Sequence, residues 1–163
     1  MQVFLGADHG GFAIKEALRL WLKSHATELT VSSVTDCGAH ELDPSDDYPQ
    51  FGAAVAREIS TAVENQSESE VANPTTIGIL VCRTGGGMAI MANRFPQVRA
   101  VVCRNEADVI HAREHNNANV LVLEGDHVKE AEAQHLVQVF LQTEFGAGRH
   151  SRRVAQLSSR NDF

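Results

Sequence analysis

The run Ile77-Gly78-Ile79-Leu80-Val81 has no polar alternation, and it leads into Cys82-Arg83-Thr84, then Gly85-Gly86-Gly87 and a helix-compatible stretch from Met88. An unbroken apolar run reads as a strand covered on both faces, and a glycine-rich turn after it restricts the chain to a strand–turn–helix unit. The turn delivers a thiol and a hydroxyl to a helix N-terminus, where unpaired N–H groups and the helix dipole favour an anion. The same surroundings are expected to lower the thiol pKa from its free value of about 8.5, which suits Cys82 to act as a thiolate base or nucleophile. A tight turn with Cys82 buried as a small hydrophobe accounts for the segment equally well. Other parts of the chain must separate the two.

The rest of the sequence repeats the alternation. Residues 3–5, 30–35, 77–81, 98–103 and 119–123 read as strands, with helical spacing over 12–24, 48–63, 88–94, 106–115 and 128–141. Pro49 suits the first turn of the second helix, and Ile14, Leu18, Trp21 and Leu22 mark the inner face of the first. Val128, Ala131, His135, Val139 and Phe140 are expected to face inward on the last long helix. The polar stretch 36–47 reads as a loop, and the acidic, serine-rich stretch 65–74 as a solvated one. Such alternation predicts a parallel sheet with helices on both faces, and ligands then bind at the carboxyl ends of the strands. Asp8-His9 and Cys82 to Thr84 fall at those ends.

The 163 residues fit one domain over 1–155, with a tail over 156–163 expected to fray. With 14 Lys+Arg against 21 Asp+Glu, the formal net charge of -7 argues against a broad nucleic-acid surface or an acidic membrane surface. No signal peptide or membrane-length apolar run is seen, and the three cysteines form no CxxC pair. Free thiols in the cytoplasm are the expectation.

Taken alone, Asp8 reads as turn chemistry, whereas His9 beside a phosphate would serve as a donor. His111-Ala112-Arg113-Glu114-His115 matches the HxxEH pattern of some zinc proteases, but those enzymes are much larger and need a third ligand from another helix. Arg149 and Arg153 stand four apart in the chain's one marked cation cluster, and a guanidinium binds phosphate through two hydrogen bonds. A solvated basic tail is the plain alternative.

In this order the pieces resemble the family of type B ribose-5-phosphate isomerases and galactose-6-phosphate isomerase subunits. The likeness runs from Val3 to about Val154. It rests on Gly6-Ala7-Asp8-His9-Gly10-Gly11-Phe12, Asp47-Tyr48-Pro49, Gly78 to Cys82 with Thr84-Gly85 and Gly87-Met88, Ala92-Asn93 and Val98-Arg99-Ala100. It continues through Arg113-Glu114-His115-Asn116-Asn117-Ala118-Asn119-Val120-Leu121 and Gly148-Arg149-His150 with Arg153. The resemblance implies a doubly wound, Rossmann-like three-layer αβα sandwich around a mainly parallel five-stranded sheet. It implies homodimers or tetramers whose active sites are shared between subunits. The activity implied is aldose–ketose isomerisation of a phosphosugar through an enediolate, with no cofactor and no metal.

Carried over by position, Cys82 is the base, and Thr84 with the loop of Gly85, Gly86 and Gly87 stabilises the enediolate. His115 opens the sugar ring and Asn116 holds a hydroxyl. Asp8 and Tyr48 fall among the substrate-binding positions, and His9, Arg149 and Arg153 hold the phosphate. One branch of the family uses a glutamate base at the position of Met88, so here the cysteine serves. Two departures bear on the substrate. Arg83 stands where relatives usually have glycine, and the loop Glu124-Gly125-Asp126-His127 lacks their common arginine. If that loop faces the phosphate, Asp126 is expected to weaken the clamp, with Arg83 as compensation or as a contact to another substrate group. The alternatives are a non-catalytic phosphosugar binder, an isomerase of a tetrose or hexose phosphate and, more distantly, a zinc hydrolase.

Overall fold

A computed structural model describes residues 1–64 and 74–158. Five strands, β1 (Gln2–Ala7), β2 (Ser33–Asp36), β3 (Thr76–Cys82), β4 (Ala100–Val102) and β5 (Val120–Glu124), form one sheet in the order β2-β1-β3-β5-β4. Every pairing is parallel. The described helices are α1 (Phe12–Ser24), α2 (Tyr48–Glu64), α3 (Gly86–Ala92), α4 (Glu106–Asn116), α5 (Glu130–Gln142) and α6 (Arg149–Ser158). None is long and apolar enough to cross a membrane.

All seven residues of β3 are buried, as expected of a central strand between two helical layers. Its side chains alternate between two cores. Ile77, Ile79 and Val81 pack with Leu18, Leu22, Leu136 and Phe140 from α1 and α5. Leu80 and Cys82 pack with Val55 and Ile59 of α2 and Met88 and Ala92 of α3. Each fully buried Leu or Ile contributes about 1.5–3 kcal/mol by leaving water. From β1 the chain moves outward to β2 and then crosses to β3 on the other side. The carboxyl ends of β1 and β3 therefore flank the switch point of the sheet, where open α/β sheets form a crevice.

Lys15, wholly buried on α1, secures one side of that crevice. Its ammonium bonds Asp36 at the end of β2, the Ala39 carbonyl at 2.7 Å and Glu16 at 2.9 Å. This ties the loop after β2 to the sheet and fixes the path that brings Asp46 to the β1 end.

Several elements differ from the sequence expectation. β2 begins at Ser33, because residues 25–30 turn beyond α1 and Thr30 takes a left-handed φ of 56°. On α5 the buried residues are Ala133, Leu136, Val137, Phe140 and Leu141, so the inner face is rotated from the expected one. His135 lies outside it and bonds Glu106 at 2.7 Å. Helix α3 starts at Gly86, two residues before the expected Met88. Helix α6 runs through Ser158, so residues 156–158 are helical, while 159–163 lie outside the described residues. The stretch 65–73 lies outside them too.

Candidate active site

At the carboxyl end of β3 the backbone turns sharply. Gly85 adopts φ 72° as the N-cap of α3, a left-handed conformation that costs L-residues with a Cβ about 1–2 kcal/mol. The turn aims the backbone N–H groups of Met88, Gly85 and Thr84 at the Cys82 sulfur. Cys82 is only 5% exposed, and this burial outweighs the three amides. Its pKa is therefore raised, with a smaller contribution from the negative charge of Asp8. The lowered pKa expected from the loop alone is corrected here: the motif supplies the donors, but desolvation of the thiolate is larger. Thr84 is exposed beside it.

Neighbouring loops close around this turn. The Gly125 amide donates to the Cys82 carbonyl at 2.8 Å and the Asp126 amide to the Arg83 carbonyl at 3.1 Å. Arg83 Nε donates to both carboxylate oxygens of Asp126, at 3.1 and 3.3 Å. The two departures from the family pattern are thus partners of each other. The Arg83 stem also covers Gly10, where an added Cβ would lie 2.3 Å from Arg83 Cγ. Tyr48, at the start of α2, lies against Gly87 so closely that a Cβ there would sit 2.5 Å from its ring.

The β1 end supplies Asp8 and His9. Asp8 is 5% exposed, accepts from the Gly11 amide at 3.2 Å, and is raised in pKa chiefly by burial. His9 bonds Asp46 twice, through its backbone amide at 3.1 Å and through Nδ1 at 2.6 Å. The hydrogen bond to Asp46 holds the imidazole pKa above its ordinary value. Among the described residues, Asp8, His9 and Asp46 are the one grouping whose donor atoms lie within 4.8 Å of one another. His9 Nδ1 and Asp46 Oδ1 are spent on each other, so the group is bonded internally rather than open around a cation.

The remaining expected site residues lie elsewhere. Helix α4 ends at Asn116, with Asn117 in a left-handed conformation (φ 47°), and returns the chain to the amino end of β5. There Val120 pairs with Gly78, whereas Glu124 pairs with Cys82 at the other end. Four residues of strand, roughly 13 Å, thus separate the level of Cys82 from the start of β5, and His115 and Asn116 precede that start. The Gly146 amide bonds the Glu114 carbonyl at 3.0 Å and brings α6 beside α4. The rings of His111, His115 and His150 then stack, with centroids 5.1 and 4.5 Å apart and planes within 12° and 8°. Parallel stacking keeps these rings face to face, and they do not appear as a metal-sized grouping. Burial, followed by His115, Arg149 and Arg153, lowers the His150 pKa. Arg149 and Arg153 are exposed on α6.

The corner under this cluster rests on a buried cation. Arg113 is 4% exposed and donates to the carbonyls of Ala118 (2.6 Å) and Thr143 (3.1 Å) and to Asn117 Oδ1 (3.1 Å). Burial pulls both Arg113 and its neighbour Arg99 down to about 10. The fold therefore gathers Asp8, His9, Tyr48, Cys82, Arg83, Thr84 and Gly85 to Gly87 at one rim. His115, Asn116, Arg149 and Arg153 form a second group. Sequence reading missed Asp46 and the Arg83–Asp126 pairing. Both contacts join loops far apart in the chain, and no local motif announces them.

The sequence profile of the family described as Ribose/Galactose Isomerase matches residues 3–157. Ribose-5-phosphate isomerase B of Mycobacterium tuberculosis is 36% identical over 155 residues, 94% of this chain and 86% of that protein. The crystal structure of ribose-5-phosphate isomerase B from Mycoplasma genitalium with bound ribulose-5-phosphate has a TM-score of 0.83 at 32% identity, covering 96% of this chain and 93% of that one. The type B ribose 5-phosphate isomerase of Trypanosoma cruzi has a TM-score of 0.81 at 32% identity, covering 97% and 96%. With its profile matched over nearly the whole chain, and with such relatives in sequence and in structure, the protein belongs to the ribose/galactose isomerase family.

Proposed function

We propose that this sugar-phosphate aldose–ketose isomerase interconverts ribose 5-phosphate and ribulose 5-phosphate, with Cys82 as the base. The observation that carries the reading is the place of Cys82, at the carboxyl end of β3 beside the switch crevice and just before the left-handed turn at Gly85 into α3. As thiolate, it takes the proton from C2 of the open-chain aldose. The electron pair moves into an enediolate, the thiol returns its proton to C1, and a second proton passes from O2 to O1. Negative charge builds on oxygen in between. The Thr84 hydroxyl and the Gly86 and Gly87 amides, in the first turn of α3 where no intrahelical acceptor exists, are suited to receive it. Asp8 and Tyr48 contact the substrate, and no metal takes part.

His115 opens the ring, Asn116 holds a hydroxyl, and Arg149 and Arg153 grip the phosphate together with His9. His115, Asn116, Arg149 and Arg153 reach Cys82 and His9 from the second subunit of a homodimer or tetramer, because one chain holds the two sets apart. The cations of the partner then favour the thiolate that burial opposes. The fold in hand supports this reading through its separated rims, one carrying the base and the other the guanidinium pair.

The decisive experiment is an isomerisation assay on pentose, hexose and tetrose phosphates with the wild type and Cys82→Ala. Turnover of ribose 5-phosphate that vanishes in Cys82→Ala, with the circular dichroism spectrum retained, supports the reading; full activity in that variant overturns it. Turnover restricted to a tetrose or hexose phosphate keeps the chemistry and corrects the substrate. Thermal stabilisation by these compounds without any turnover identifies a binder instead.

A further inference from the structure

The His9 imidazole is held in an unusual way for a residue at the mouth of a site. Its backbone amide and its Nδ1 converge on a single oxygen, Oδ1 of Asp46, across 37 residues of sequence. The Asp46 side chain is 7% exposed, against 31% for His9. Its other oxygen, Oδ2, is buried with no hydrogen-bond partner among the described residues. Among the described residues, the hydrogen bonds to this carboxylate thus come from His9 alone. The loop that delivers it is folded by Asp43, whose side chain binds the Ser45 amide and hydroxyl, and whose carbonyl takes the Asp46 amide at 3.1 Å.

An acceptor fixed on Nδ1 decides the tautomer. Neutral His9 carries its proton on Nδ1, and Nε2, which has no partner among the described residues, is then a bare lone pair. Nε2 becomes a donor only when the ring is cationic. We infer that Asp46 is a positioning residue of the anion site: it locks His9 so that the outward nitrogen can bind an oxyanion only as imidazolium. This deepens the reading of His9 as a phosphate contact and rests on it. The charges around His9 come from three elements. Asp8 in the β1–α1 turn and Asp46 in the loop before α2 favour the cation, Arg83 after β3 opposes it, and Asp43 also senses His9. The hydrogen bond to Asp46 is the largest of the effects on His9, and it carries the imidazolium to higher pH than an ordinary histidine.

The test combines ring-nitrogen NMR of His9 with binding of inorganic phosphate, in wild type and Asp46→Asn. Asparagine keeps an acceptor for the backbone amide and removes the charge. In wild type, neutral His9 is the Nδ1–H tautomer, and phosphate moves its titration midpoint upward. In Asp46→Asn the midpoint falls, and phosphate affinity at pH 7.5 drops roughly fivefold to tenfold, the order expected for one charge-assisted hydrogen bond to an anion. The deficit closes as the pH is lowered until the ring is protonated in both proteins. An affinity loss equal at every pH, or an unchanged His9 midpoint, overturns the inference and leaves Asp46 a loop fastener. An Nε2–H tautomer in the wild type overturns it too, whether or not the variant folds. If Asp46→Asn moves the midpoint but phosphate leaves wild-type His9 unmoved, the positioning stands and the phosphate assignment falls.

Discussion

The rim at the ends of β1 and β3 and the corner where α4 meets α6 solve opposite electrostatic problems. The first gathers a thiol, a buried carboxyl and backbone amides around a crevice, and its burial favours neutral forms: the pKa values of both Cys82 and Asp8 are raised. The second gathers cations on an exposed helix face, backed by two buried arginines that lean on backbone carbonyls. Proton transfer needs the first environment and phosphate binding needs the second. Keeping them at different places in one chain spares that chain a buried, mutually perturbing cluster, and under the proposed shared site it is a second subunit that brings them together.

The largest effect expected breaks the comparison at its strongest point. Cys82→Ala is expected to lower kcat by roughly 10³-fold or more, the scale of losing a positioned base. Arg149→Ala with Arg153→Ala in one chain is expected to raise KM by more than tenfold through loss of two charge-assisted contacts. If sites are shared, mixing and re-equilibrating the two variants, assayed at substrate well below the raised KM, regenerates one intact site in each mixed dimer. About a quarter of wild-type activity should return for an equal mixture of a two-fold dimer. A mixture no more active at that substrate concentration than the average of its parents places both groups in one subunit's site and refutes the division of labour.

Next in size is the support of the cationic corner. Arg113→Leu leaves the Ala118 and Thr143 carbonyls without their donor. A cost of about 3 kcal/mol is expected, since buried acceptors lose their partners. Urea unfolding measures that loss. The isomerase assay should show KM rising as His115 and Asn116 shift, while alkylation of Cys82 proceeds at the wild-type rate. Altered Cys82 reactivity would show that the rims are mechanically coupled within the chain.

A smaller effect concerns pH. Because burial raises the Cys82 pKa, the thiol of a single chain stays protonated at neutrality, and thiolate accumulates only as the pH climbs past the free-thiol range. Iodoacetamide should therefore modify Cys82 more slowly at pH 7 than it modifies glutathione, with a rate that rises into the alkaline range. Cys103 provides an internal reference, with its pKa pushed by burial to about 12. A Cys82 rate that is already maximal at pH 7 would mean that the amides, together with any cations a second subunit brings, outweigh burial.

What was legible in the sequence follows from locality. The β3 run was readable because a strand covered on both faces has no polar residue to spare, and the glycines after it because φ 72° at Gly85 has few other occupants. Misreadings arose where a neighbour distant in sequence decides. The inner face of α5 is set by which turn meets α1 and the sheet, so helical spacing alone puts His135 inward although it lies outside. The thiol pKa was read from its loop alone, although the covering of that loop decides the sign. Asp46 looked like one more acidic loop residue until the fold set it against His9.

The finest test concerns Arg83 and Asp126, which border the first rim yet carry charge like the second. Their side chains are 67% and 37% exposed, so the pair contributes little to stability, and Arg83→Gly or Asp126→Asn should shift unfolding by no more than about 0.5 kcal/mol. The effect on substrate should be larger than that. Nε is occupied by Asp126, which aims the guanidinium while its terminal nitrogens remain available to an anion. Arg83→Gly should raise KM for the preferred sugar phosphate by roughly threefold to tenfold, and Asp126→Asn, which frees the guanidinium to wander, by less. The double variant separates two possibilities. If Asp126 acts through Arg83, removing it from the Arg83→Gly enzyme changes nothing further. If the two losses add, Asp126 meets the substrate on its own account, as an acceptor for a sugar hydroxyl beside the anion that Arg83 holds.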